Sequence, residues 1–139
     1  MIYLGDTSAL VRLHRGQVAD PWQDLAERGM IAICEPVLVE TLTIGEARRY
    51  DEFETKFRSL YPWLHVPDGA WDVIRPIRQQ LARRSAHQRV SVADYLVVAT
   101  ALHHDLTLLH EDADFETVAQ VVPELRQQRI SVLPESAQG

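Results

Sequence analysis

The stretch Ile2-Tyr3-Leu4-Gly5-Asp6-Thr7-Ser8-Ala9-Leu10-Val11-Arg12-Leu13 passes from strand to helix within a few residues. Ile2-Tyr3-Leu4 is a short β-prone run, Gly5-Asp6 ends it, and a helical pattern starts at once from Ser8. Gly16 stops that helix. The same alternation repeats along the chain. Pro21 opens a second helix through Trp22, Leu25 and Ala26, and Gly29 closes it. Met30-Ile31-Ala32-Ile33-Cys34 is an apolar run of strand length, and Glu35-Pro36 starts a third helix carrying Val37, Leu38, Thr41, Leu42 and Ile44. Tyr50, Phe53, Phe57 and Leu60 mark a fourth helix, ended by Pro62, and Trp63-Leu64-His65-Val66 reads as a short strand. A long helix follows from Ala70 to Ala86, with a bend expected at Pro76. Ser91 caps a strongly apolar helix from Val92 to His104, Leu106 to Leu109 reads as a strand, Phe115 to Val122 as a helix, and Ile130 to Leu133 as a last strand. Short apolar strands alternating with helices predict an α/β fold, a three-layer α/β/α sandwich around a short parallel sheet.

The length of 139 residues suits one domain, expected over 1–134, with 135–139 as a loose C-terminal tail. Cys34 is the only cysteine, which excludes a disulfide framework. No apolar run reaches the ~18 residues that span a bilayer, and the Met1 end has no basic segment followed by an apolar one. The expectation is a soluble, cytoplasmic protein. A formal net charge of −6 argues against a protein that coats nucleic acid over its whole surface. Between Asp72 and Asp94, however, there is no acidic residue, and that interval carries Arg75, Arg78, Arg83, Arg84, His87 and Arg89. Lys56 is the only lysine.

The acidic residues occupy telling places. Asp6 stands where the first strand stops and a helix begins, and Asp112 and Asp114 follow the strand Leu106 to Leu109 in the same way. Each suits a helix cap. Yet in an open parallel sheet ligands bind outside the carboxyl ends of the strands, where such carboxylates converge. Glu40 shares a helical stripe with Val37, Ile44 and Ala47, so its face looks into the protein. Asp94 is the only charged residue between Arg89 and Asp105, and as the third residue after Ser91 it also suits a capping box. Carboxylates aimed at one crevice repel each other and need a cation. An all-oxygen set suits Mg²⁺ or Mn²⁺, and such a site suits metal-assisted phosphodiester hydrolysis, with the arginine stretch holding substrate phosphates.

These residues resemble a known family. Ile2-Tyr3-Leu4-Gly5-Asp6-Thr7-Ser8-Ala9-Leu10, Glu40 within Pro36-Val37-Leu38-Val39-Glu40-Thr41-Leu42, Asp94 within Ser91-Val92-Ala93-Asp94-Tyr95-Leu96-Val97-Val98-Ala99-Thr100-Ala101, and Leu108-Leu109-His110-Glu111-Asp112-Ala113-Asp114-Phe115 stand in the order of PIN-domain ribonucleases. The chain is most similar in this respect to the VapC toxins of VapBC toxin–antitoxin pairs, over nearly its whole length. The resemblance implies a PIN-like fold and an endoribonuclease toxin that cuts structured RNA such as tRNA or rRNA. It implies an acidic quartet of Asp6, Glu40, Asp94 and Asp112 binding Mg²⁺ or Mn²⁺, with Asp114 as an auxiliary ligand. It further implies a homodimer silenced by a VapB-type antitoxin. One departure is His110, which stands where the family has a small hydroxyl residue. Glu35, at a helix start, reads as a dipole-favoured cap.

Other chemistries fit less well. A phosphoryl-accepting aspartate site wants a late lysine, and none follows Lys56; a Gly-x-Ser-x-Gly elbow is absent. The six histidines have no zinc-finger spacing, and His103-His104 reads as a partner for a helix C-terminus. The alternative of another class is a PIN-like scaffold that binds RNA or protein without cutting, and retention of every carboxylate favours the enzyme. Trp22, Tyr50, Phe53, Phe57, Tyr61 and Trp63 are core by base rate, with Trp22 and Phe53 as candidate anchors for an antitoxin helix. For the arginine stretch, Arg83→Ala with Arg84→Ala is expected to weaken RNA binding and to lower the salt slope by about 1.4 for two lost contacts to a single strand. An unchanged slope in a binding titration across salt concentrations assigns these arginines to another role.

Overall fold

A computed structural model describes residues 1–135. Among them, five strands form one sheet: β1 (Tyr3–Gly5), β2 (Ile31–Cys34), β3 (Trp63–Leu64), β4 (Thr107–His110) and β5 (Gln127–Arg129). The spatial order is β3-β2-β1-β4-β5, and every neighbouring pair is parallel. Seven α-helices connect and flank them: α1 (Thr7–His14), α2 (Asp20–Glu27), α3 (Glu35–Ile44), α4 (Tyr50–Leu60), α5 (Ala70–Arg83), α6 (Val92–His104) and α7 (Ala113–Val121). This is the expected PIN-like α/β/α arrangement. Among the described residues no helix is long and apolar enough to cross a membrane.

The central strands are apolar because helices cover both faces. β1 and β2 are buried throughout, and Leu4, Ile31, Ile33, Leu108 and Leu109 are essentially inaccessible. The edges are short, and β5 is polar and half-buried, which blunts pairing with another chain. That edge corrects the expected last strand at Ile130 to Leu133. The ladder falls on Gln127–Arg129 instead, and Ile130 adds the final bond from its N–H to the His110 carbonyl at 2.8 Å while burying its side chain. An edge strand exposes one backbone side, so its residues need not be apolar. α5 runs on through Pro76, whose missing N–H leaves only the carbonyl of solvent-exposed Asp72 without its helical partner. Of the expected tail, residues 136–139 lie outside the described residues.

The strand order reverses between β1 and β4. The chain moves outward from β1 through β2 to β3, then returns to lay β4 on the other side of β1. A crevice opens outside the carboxyl ends of two such strands. The Asp6 N–H donates to the Leu109 carbonyl at 3.0 Å, so β1 and β4 stay joined to their ends.

Trp22 corrects one expectation. Its ring is fully buried, meets Tyr3 edge-on at 5.1 Å, and donates Nε1–H to the Val132 carbonyl at 3.0 Å. It is core and has no surface to offer a partner helix. Phe53 is half-buried beside Phe57 and His14, with the Arg49 guanidinium 4.3 Å from its ring centroid. Trp22→Ala is expected to cost about 3–5 kcal/mol of stability, as for other buried large-to-small changes. Urea denaturation checks this, and a loss below about 1 kcal/mol contradicts the packing described.

Candidate active site

Three helix N-termini point at the carboxyl end of the sheet. Asp6 follows β1 and is the N-cap of α1, accepting the Ala9 N–H at 2.9 Å. Asp112 follows β4 and is the N-cap of α7, accepting the Asp114 N–H at 2.9 Å. Asp94 completes a capping box on α6: it accepts the Ser91 N–H at 3.2 Å, and its own N–H donates to Ser91 Oγ at 3.1 Å. The capping readings of all three are therefore correct, and they do not compete with a role in the cleft. A cap uses part of a carboxylate's acceptor capacity, and the positive end of each helix lowers the cost of the charge.

Glu40 comes from α3 and is not a cap. Its stripe runs from buried Val37 to exposed Ile44, so Glu40 sits where the core opens to solvent. Thr7 Oγ1 donates to Glu40 Oε1, which ties α3 to the start of α1. Asp6, Glu40, Asp94 and Asp112 all line one open cleft of about 550 Å³ with Thr7, Ser8 and Ser91. Asp114 does not line it; its half-buried side chain stands beside Asp112.

Two side chains hold the acidic loops together. Ser8 Oγ donates to the Asp6 carboxylate at 2.7 and 2.9 Å and accepts the Glu111 N–H at 2.9 Å, bridging the loops after β1 and β4. His110 is fully buried, and its Nδ1 accepts the Asp112 N–H at 2.9 Å. Its Nε2 therefore carries the proton, donated to Gln127 Oε1 at 2.6 Å. Burial pushes the His110 pKa down, so the ring is neutral at pH 7. The histidine at the departure from the family pattern thus positions the Asp112 loop from behind. Glu111 turns outward, bonded to Arg129 at 2.9 Å and to the Ser131 N–H at 3.0 Å.

The electrostatics are those of crowded like charges. Asp6 is 5% exposed, and its pKa is pushed up to about 7, chiefly by burial and further by Asp94 and Asp112, against the lowering effect of the Ala9 and Ser8 hydrogen bonds. Burial likewise raises Asp94; the Ser91 bonds oppose this, and Glu40 and Asp112 add to it. Burial and Asp112 raise Asp114. The donor set is all oxygen, open on one side and short of positive charge, which fits Mg²⁺ or Mn²⁺. Among the described residues Arg12 is the one cation lining this cleft, with a guanidinium N–H donating to the Ser8 carbonyl at 3.3 Å. The arginines from Arg75 to Arg84 do not line it; they are exposed on α5 and just beyond its end. Arg12 escaped the sequence reading because a lone arginine in a first helix carries no distinguishing signal.

Comparison with known proteins gives consistent matches. A family model described as PIN domain matches residues 3–121. Ribonuclease VapC21 of Mycobacterium tuberculosis is 31% identical over 123 residues, 86% of this chain and 87% of that protein. Ribonuclease VapC17 of the same organism is 34% identical over 120 residues, 85% of this chain and 87% of that protein. Among solved structures, the DNA-bound VapBC from Salmonella typhimurium superposes with a TM-score of 0.74 at 18% identity, covering 94% of this chain and 98% of that one. VapBC-5 from Mycobacterium tuberculosis superposes with a TM-score of 0.61 at 20% identity, covering 94% and 98%. At these identities the superpositions speak to the fold.

A carboxyl held at about 7 in the fold, against an ordinary value of 3.8, keeps its proton longer in the folded than in the unfolded chain. Stability therefore falls as pH rises from about 4 to about 7, by up to about 4 kcal/mol from this group. Asp6→Asn keeps an acceptor for the Ala9 N–H and removes the charge. Without divalent cations it is expected to melt several degrees above wild type at pH 8, the gap closing toward pH 5. A lower melting temperature for the variant at pH 8 contradicts this.

Proposed function

The chain belongs to the PIN-domain family, among its VapC ribonucleases, and on that premise we propose that it is a metal-dependent endoribonuclease toxin restrained by a VapB-type antitoxin. The observation that carries the reading is the convergence of Asp6, Glu40, Asp94 and Asp112 on one open cleft at the switch point between β1 and β4.

Asp6, Glu40, Asp94 and Asp112 are the residues that would hold Mg²⁺ or Mn²⁺, with Asp114 at hand behind Asp112. Lewis-acid activation of the phosphodiester and of water, and neutralisation of the leaving oxygen, are the chemistry such an ion supplies when bound. The chain's own residues do the positioning. Thr7 orients Glu40, Ser8 orients Asp6, and Ser91 orients Asp94, so each carboxylate is held before substrate arrives. Neutral His110 fixes the loop that presents Asp112. Arg12, at the same cleft, meets the phosphate of the RNA strand and balances charge that the carboxylates cannot. Exposed Val39 and Ile44 in the cleft wall offer apolar contact to a base. The solved relatives in fold are toxin–antitoxin complexes, which supports an antitoxin as the natural partner.

Cleavage of total cellular RNA, mapped by 5′-end sequencing, tests this reading. Wild type in Mg²⁺ is expected to cut at one or a few sites. Those cuts are expected to vanish in EDTA and with Asp94→Asn, and to slow at least tenfold with Arg12→Ala, a loss of about 1.4 kcal/mol of transition-state binding. No metal-dependent cuts from folded, antitoxin-free protein would support a non-catalytic binding scaffold instead.

A further inference from the structure

His65, His103 and His104 bring three imidazoles together away from the acidic cleft. His65 follows β3, while His103 and His104 close α6, and one donor nitrogen from each ring lies within 4.8 Å of the other two. The ring centroids are 4.9, 5.3 and 6.2 Å apart and the planes are steeply inclined, at 87°, 88° and 66°. Imidazole nitrogens lie on ring edges, so inclined rings can present lone pairs to one point, which parallel stacking would not allow.

The helix-end role explains only part of this arrangement. Histidinium at a helix C-terminus is stabilised by the dipole. That accounts for His103 and His104 but not for His65, which arrives from another element. Three imidazoles brought within ligand reach of one another from two separate elements suit a shared cation. The His104 ring is already oriented for one. Its Nε2 lies 3.1 Å from the His65 carbonyl oxygen, which can only accept, so Nε2 carries the proton and Nδ1 keeps its lone pair. A ligating histidine typically has its other nitrogen held by a carbonyl or carboxylate in this way. Asp105, next in the chain, is paired with Arg126 at 3.0 Å.

We propose that His65, His103 and His104 form a second metal site, for Zn²⁺, separate from the carboxylate cleft. Imidazole nitrogen suits Zn²⁺ as carboxylate oxygen suits Mg²⁺ or Mn²⁺, so the two sites select different ions. Zn–N bonds of about 2.0–2.1 Å put tetrahedral ligand nitrogens roughly 3.4 Å apart. Exposed side chains reach that spacing from the present one by small rotations. Three protein ligands leave a fourth position for water, and His65 and His103 line a cleft of about 550 Å³ that can admit one. The sites lie at opposite ends of α6: Asp94 is in the first turn and His103 nine residues on, about 13 Å along the axis. Zn²⁺ would clasp the segment leaving β3 to the end of α6. Because the ligands converge only in the folded chain, the ion stabilises that chain.

Zn²⁺ titration of the full chain, purified without a histidine tag, tests the proposal by calorimetry. Wild type is expected to take up one Zn²⁺ per chain, and His65→Gln with His103→Gln to weaken that uptake by more than about tenfold. Zn²⁺ held by the carboxylates would survive those substitutions, and undiminished uptake by the double variant overturns the proposal, as does no saturable uptake by wild type. If the double variant does not fold, long-range proton–nitrogen NMR on wild type decides. One equivalent of Zn²⁺ is expected to shift the ring nitrogens of His65, His103 and His104 while those of His14, His87 and His110 stay in place. Shifts confined to the latter three overturn the proposal.

Discussion

Repulsion among carboxylates is the force against which this cleft is built, and the surrounding structure can be understood as what holds it in place. Asp6, Asp94 and Asp112 each sit at a helix N-terminus, where backbone N–H groups and the helix dipole partly offset the charge. Hydroxyls from Ser8, Thr7 and Ser91 reach the carboxylates or their backbone. These devices do not cancel the load. Asp6, the most enclosed, still prefers to keep its proton up to about pH 7. A cleft that costs stability in this way would gain it by binding a cation.

The topology delivers those charges to one place. β1 and β4 are adjacent although 101 residues lie between Gly5, which ends β1, and Thr107, which starts β4, a path that runs out through β2 and β3 and back. Their carboxyl ends are locked by the Asp6–Leu109 backbone bond and by Ser8 reaching Glu111. Behind them, His110 and Gln127 join β4 to β5, and Arg129 pulls Glu111 away from the cleft. Removing Ser8 or His110 would therefore disturb the carboxylates without touching a substrate. Such residues govern precision at the reacting centre, where small misplacements are costly.

Much of this was legible in the sequence, for identifiable reasons. Asp6 and Asp112 mark sites where an apolar strand turns into a helix, and that change of period is a strong local signal. Asp94 stood out as a lone charge in an apolar helix, and Glu40 by its stripe with Val37. What escaped notice depends on partners distant in sequence. β5 is Gln-Gln-Arg because an edge strand need not be apolar, so the apolar run just beyond it drew the reading. Trp22 is core, as its residue type suggested, and the Tyr3 ring and the Val132 carbonyl that hold it there are what exclude the anchor role. His110 and Arg12 have their roles from Gln127, the Asp112 N–H and the cleft wall. The clustering of His65 with His103 and His104 joins residues far apart in the chain, where the segment just after β3 meets the end of α6.

The claim at the centre of the account is that Asp6 is a carboxyl held protonated by burial and by its acidic neighbours until a divalent cation takes the proton's place. Its side-chain carboxyl ¹³C shift, followed by NMR across pH with and without Mg²⁺, measures this directly. The account predicts a titration midpoint near 7 in the metal-free protein, and an ionised carboxylate across the neutral range once Mg²⁺ is bound. A midpoint at the ordinary value of 3.8 in metal-free protein, unmoved by Mg²⁺, would contradict it.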